Sequence, residues 1–309
     1  LALSPMRHVL MDDNQRFQYP AVIRSGRYDS LVIGTSTARL LEPAQLERHF
    51  GGRFANLALN SGTAWEQWQI ARLFARTVER PRTVLVGIDW VWCAHDADTE
   101  RVTVRGFPDW LFDDSPWNDL AYMLNPRTIE IAGRRIWHAL GRVKERWPHN
   151  GYEVFVPPES AYDLERARKH IYDRPAPGGE RPRRPVAKLP PDGFPALSWI
   201  EDILAARRFD RVILALMPIH TAAQPKAGEP VHAREQLCKS RLARLAAPYG
   251  VPVIDFRIPS RITREDAHFW DPLHYRVPVA TRIVDAIARA VETKADDPGG
   301  DWRIVSAAP

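Results

Sequence analysis

Five short apolar runs constrain this chain more than any other feature: Ser30–Gly34, Phe54–Leu59, Thr83–Ile88, Arg211–Leu216 and Val251–Phe256. Each is too short for a buried helix, and most end in glycine or a polar turn, the form of strands buried on both faces. Helical patterns lie between and after them. They cover Ala38–Phe50 (interrupted near Pro43), Ala64–Glu79, Leu197–Arg207, His232–Tyr249 and Val277–Glu292. In the second of these, Ile70, Leu73, Phe74 and Val78 recur at helical spacing. Strands alternating with helices predict an α/β fold with a mainly parallel sheet, helices on both faces and right-handed crossovers. Ligands of such sheets bind beyond the carboxyl ends of the strands. That rule gathers Ser36, Gly62, Asp89, His220 and the Asp271–His274 loop on one rim.

The alternation lapses between Val91 and Pro195, where Trp, Pro, Asp and Arg dominate. Helical patterns are readable at Thr128–Glu145 and Glu159–His170, and Tyr172–Pro195 reads as a Pro/Gly/Arg-rich loop. The expected organisation is therefore one domain over residues 1–309, with residues 91–195 inserted as a cap on one edge or mouth of the sheet. The tail Lys294–Pro309 reads as frayed.

Composition removes several classes. With 309 residues, 45% hydrophobic and 26% charged, the chain is close to globular averages, which excludes bulk disorder. No apolar run reaches the roughly 20 residues that cross a bilayer. A net charge of +5 is too mild for a dedicated nucleic-acid binder. Two cysteines, Cys93 and Cys238, exclude a Cys₄ zinc site and leave room for one disulfide. The opening LALSPMRHVLM reads equally as the tail of a removed signal or anchor helix and as ordinary chain. The expected location is extracytoplasmic, in the periplasm, with membrane association through a preceding anchor; the cytoplasm is the alternative.

Two places on the rim carry chemistry. Ser36 follows the first strand in Gly34-Thr35-Ser36-Thr37, where a serine can expose its hydroxyl and offer its own N–H to an oxyanion. The plain alternative is a helix N-cap. Asp271 and His274 lie three apart after the fifth strand, so the carboxylate can accept Nδ1–H and leave Nε2 facing a nucleophile. No G-x-G-x-x-G follows the first strand, so a dinucleotide site is not expected. His95-Asp96-Ala97-Asp98 has metal-friendly atoms at a spacing that seldom converges on one ion, and no metal or other cofactor is expected. Cys93 has no histidine motif beside it that would make it a nucleophile. Arg181, Arg183 and Arg184 read as a solvated loop.

These residues together resemble the SGNH (GDSL-type) hydrolase superfamily. The resemblance rests on Gly34-Thr35-Ser36 for the serine block and on Gly62 in Asn56–Gly62 for the second. Gly87-Ile88-Asp89-Trp90 stands for the third block, and Asp271-Pro272-Leu273-His274 for the last. It covers Ser30–Asp89 and Arg211–Glu292. Threonine stands in the serine block where the family has aspartate, and Asp89 stands where the family has the asparagine that completes its oxyanion hole. These departures are more similar to extracytoplasmic polysaccharide O-acetylation proteins of the alginate type than to secreted lipases.

The resemblance implies a three-layer α/β/α sandwich with a five-stranded flavodoxin-like sheet in the order 2-1-3-4-5. It implies an ester hydrolase acting on acylated carbohydrate or another small ester, with Ser36 as nucleophile, His274 as base and Asp271 orienting it. Ser36 and Gly62 N–H groups would form the oxyanion hole, with Asn60 as a further donor. Asp89, Trp90, Trp92 and His220 are the candidate substrate contacts, tryptophan faces being suited to sugars; Trp110 and Trp117 cluster with them. Core tryptophans and a loop histidine are the ordinary alternatives. An O-acyltransferase using the same three residues, and a carbohydrate-binding protein without catalysis, are the alternative functions. No nucleic-acid partner is expected.

Overall fold

A computed structural model describes residues 14–115, 117, 126–144, 149–173 and 193–306. The chain folds as an α/β protein around a six-stranded sheet in the order β2-β1-β3-β4-β5-β6. The strands are β1 (Ser30–Ile33), β2 (Phe54–Asn56), β3 (Thr83–Ile88), β4 (Arg211–Leu216), β5 (Val253–Asp255) and β6 (Arg303–Ile304). The first five pair in parallel, and β6 runs antiparallel to β5. The first five strands thus take the expected order.

Each strand alternates between two cores. Leu31, Ile33, Val84, Val86, Leu214 and Leu216 point to one face. Val32, Leu85, Ile213 and Ala215 point to the other. Because neither face meets water, the strands read as continuous apolar runs rather than as alternation. The first face is covered by α1 (Gln15–Arg24), α3 (Ala64–Thr77), α6 (Leu197–Ala205) and α7 (Pro230–Ala246). The second is covered by α2 (Pro43–Phe50) and α8 (Val277–Thr293). Proline occupies the first turn of α2, α7 and α8, where its missing N–H costs nothing. A capping box opens α3: the Thr63 hydroxyl accepts from Glu66 N–H, and Glu66 accepts from Thr63 N–H.

Three features depart from the sequence reading. Helix α1 was not expected there. It buries Arg16 against Glu66 in a two-pronged pair, Nε to Oε1 at 2.8 Å and Nη2 to Oε2 at 2.6 Å. The tail, over its described residues, is not frayed: it returns to form β6, with Trp302 buried against Phe256 and Asp301 held by Arg282 at 2.8 Å. This sixth strand corrects the expected five. Third, the expected helix 38–50 is two pieces: a 3-10 turn at Ser36–Ala38, then α2.

The long excursion between β3 and β4 contains α4 (Pro126–Ala139) and α5 (Leu164–Asp173), inside or near the two helical patterns read there. Part of it joins the sheet side of the molecule, where Asn150 C=O accepts Asn56 N–H at 2.8 Å beside β2. Arg181, Arg183 and Arg184 lie outside the described residues. Cys93, in the 3-10 turn after β3, is disulfide-bonded to Cys238 of α7.

Candidate active site

The site is assembled where β1, β2 and β3 end. The Ser36–Ala38 turn leaves β1 at Gly34, whose backbone is not left-handed. Glycine is needed there for space. A Cβ at Gly34 would stand 2.6 Å from the Ala38 Cβ, and one at Gly87 would stand 2.8 Å from it. Ala38 sits in the notch between the two glycines, pulling the turn onto β1 and β3. The turn's own hydrogen bonds are donated by Ala38 and Arg39, so the Ser36 N–H is not consumed by them. The Asn56 side-chain amide fastens the exit of the turn, donating to Ala38, Arg39 and Leu41 carbonyls at 3.0, 3.2 and 2.8 Å.

Ser36, His274 and Asp271 form one hydrogen-bonded chain. Ser36 Oγ lies 2.9 Å from His274 Nε2, and His274 Nδ1 lies 2.7 Å from Asp271 Oδ2. Asp271 accepts two further N–H groups on Oδ1, from Leu273 at 2.8 Å and His274 at 3.0 Å. An ionised carboxylate only accepts, so Nδ1 carries the ring proton and Nε2 accepts from the serine hydroxyl. Burial alone would raise the Asp271 carboxyl. The His274 hydrogen bond and charge, with the two N–H donors, outweigh it and hold the group below the usual carboxylate range. The N-cap of the turn is Thr35 rather than Ser36, which frees the Ser36 hydroxyl for the histidine.

The loop bearing His274 is held at several points. A bridge pairs Phe269 with Tyr275, and Trp270 N–H donates to His274 C=O at 2.8 Å. His220 N–H donates to Pro272 C=O at 2.9 Å. The His220 ring is buried, edge-on to Phe269 and to Tyr172 of α5. Its Nδ1 accepts Ala222 N–H at 3.1 Å, so Nε2 donates to Asp266 Oδ1 at 3.1 Å. Burial holds this imidazole below its ordinary range against the pull of Asp266. His220 is thus occupied in positioning the loop, with neither ring nitrogen turned to a ligand.

The other expected site residues divide. After β2 the chain stays alongside the serine turn, Leu59 N–H donating to Gly34 C=O at 2.8 Å. This carries Asn60 and Gly62 to the same end of the sheet. Gly62 is buried, and a Cβ on it would stand 2.7 Å from that of Leu59. The Asn60 N–H is taken by Gln15 Oε1 at 2.8 Å, so only its side-chain amide could serve an oxyanion. Asp89 is buried and caps the turn after β3, accepting from Thr35 Oγ1 and from Val91 N–H at 3.1 Å. Burial pushes its carboxyl above the usual range, against the charge of Arg257 and these two hydrogen bonds. Trp90 is half-exposed. Trp92 is fully buried and donates Nε1–H to Gln67 at 3.0 Å; it is a core residue with no face for substrate.

Two neighbours of His274 were not anticipated from the sequence. Phe155, from the excursion, stands edge-on to the His274 ring with centroids 5.2 Å apart. Arg39 lies over the Phe155 ring at 4.5 Å and is ion-paired with Glu153. The excursion thus lines the site itself. Among the described residues, no group of His, Cys, Asp and Glu is arranged to hold a metal ion. The chain matches no protein-family model and no curated protein.

Proposed function

We propose that the protein is a serine-dependent carboxylic-ester hydrolase of SGNH type, on a three-layer flavodoxin-like sandwich extended by β6. The observation that supports this best is the Ser36–His274–Asp271 hydrogen-bonded chain. Ser36 Oγ attacks the ester carbonyl carbon while His274 Nε2 takes its proton. Asp271 holds the ring in the required tautomer and stabilises the imidazolium. The oxyanion faces the N–H groups of Ser36 and Gly62. Collapse expels the alkoxide, which receives the proton from His274. Water then attacks the acyl-serine, His274 again taking a proton, and the acid is released.

The placement of Asp89 supports catalysis over a purely binding role. Its carboxyl is engaged by Thr35 and Val91, and burial favours its neutral form, which lessens repulsion of an oxyanion. An acylated carbohydrate is the proposed substrate class, with the half-exposed Trp90 as a stacking face. If a sugar hydroxyl replaces water, the same residues make an O-acyltransferase. The Cys93–Cys238 disulfide favours an oxidising, extracytoplasmic location.

The test is p-nitrophenyl acetate hydrolysis by wild type and Ser36→Ala, with and without oligosaccharide. Turnover by wild type alone supports the reading. Acylated sugar detected by mass spectrometry assigns the transferase. Equal inertness overturns catalysis and leaves a binding protein.

A further inference from the structure

Among the described α-helices, α4 has a strongly apolar side and no buried residue among its described side chains. Ile129, Ala132, Ile136 and Ala139 recur at spacings of three and four, and Leu140 and Val143 follow in the turn after it. Ile129 is 67% exposed, Ile136 62%, Leu140 64% and Trp137 47%. Five of the fourteen exposed large apolar residues fall within residues 129–143, so the exposure is concentrated rather than scattered. Basic residues are interleaved: Arg134, Arg135, Arg142 and Lys144 against Glu130 alone. Arg134 pairs with Glu130 at 2.9 Å, and Arg142 lies over the Trp137 ring at 5.3 Å.

We propose that α4 and the turn following it form an interfacial segment that lies on an anionic lipid bilayer. Aliphatic side chains gain by entering the acyl boundary, tryptophan suits the headgroup level, and arginines meet anionic headgroups. The charge selects this occupant. A second copy of the chain would bring two sets of like charges together. An acidic polysaccharide or nucleic acid would neutralise the arginines but leave isoleucine and leucine in water. The surface is independent of Ser36 and would place an enzyme, or a binding protein, at a membrane.

Co-sedimentation of the full chain with phosphatidylglycerol/phosphatidylcholine vesicles tests this, with pure phosphatidylcholine vesicles as the control. The expected result is binding to the anionic vesicles that weakens as salt rises. Ile136→Ser with Leu140→Ser should weaken it by at least about tenfold. Each of Arg135→Gln and Arg142→Gln should weaken it by roughly fivefold. Ile136, Leu140 and Arg142 are exposed and Arg135 is only partly buried, so circular dichroism and the melting temperature should stay unchanged. Absence of binding, binding equal on neutral vesicles, or binding unaltered by the serine variants would overturn the proposal. So would concentration-dependent dimerisation abolished by Ile136→Ser, which would assign the face to a second copy.

Discussion

The Tyr275 hydroxyl donates to the Thr37 carbonyl, bonding the residue after His274 to the residue after Ser36. The two halves of the proposed machinery come from opposite ends of the chain, and this buried bond sets their spacing. Tyr275→Phe would leave a buried carbonyl without its donor, at a cost of about 1–3 kcal/mol. We expect that loss in denaturant titration. Ester turnover should drop through kcat, with KM for a small ester little changed, because the hydroxyl does not face substrate. Unchanged kcat in a destabilised variant would show that the bond only holds the fold.

Asp271→Asn should retain the fold and lose up to about 10⁴ in kcat, since the amide permits the wrong histidine tautomer. The carboxyl of Asp271 is held below the ordinary range, so its contribution to stability is present above the unfolded-state pKa. That contribution is lost as pH falls through the lower folded value. An acidic limb in kcat lying above the carboxylate range should therefore belong to another group and persist in the asparagine variant's residual activity. Loss of that limb in the variant would contradict this assignment.

For Asp89 the sign reverses. Its folded pKa is raised, chiefly by burial, so its contribution to stability is greatest below the unfolded value and fades as pH rises through the folded one. Asp89→Asn removes that fade. Melting temperatures across pH 4–8, a span of about four units chosen to bracket a raised carboxyl, should show the variant gaining on wild type as pH increases. A constant offset would mean that the carboxyl titrates normally.

Reduction of Cys93–Cys238, or Cys93→Ser with Cys238→Ser, should destabilise the protein by about 2–5 kcal/mol. The bridge ties the turn after β3 to α7 across 145 residues of sequence. Chemical denaturation with and without reductant measures it. An unchanged midpoint would mean that the bridge contributes nothing to stability.

The central strands were legible because burial on both faces leaves an unbroken apolar run, and β3 and β4 match their expected bounds. Ser36 could be singled out by its place just after β1, and Asp271 and His274 by their spacing on the loop before α8; the resemblance joined them, and the structure brings the three within hydrogen-bond distance. Helix α1 was not, since its buried face includes Gln15, Arg16 and Gln18, and Arg16 is satisfied by a glutamate 50 residues away. Strand β6 was hidden by its two-residue length, its pairing being set by β5 rather than by any pattern of its own. Phe155 and Glu153 gave no signal, because no periodicity links an irregular segment to a histidine on a distant loop. Trp92 misled for another reason: it follows β3 on the expected rim in sequence, but its side chain is buried.

Strands β3 and β4 pair without a break along six residues each, although the whole excursion leaves and returns between them. The entropy of closing so long a loop grows only with the logarithm of its length. Changing the length of the excursion therefore costs little in closure entropy, so long as its core residues, such as Phe112, Val156 and Ile171, and the Phe155 contact with His274 are kept. The sheet acts as a fixed chassis, and the residues that would choose a substrate under the proposed function can be exchanged without retuning the strands beneath Ser36.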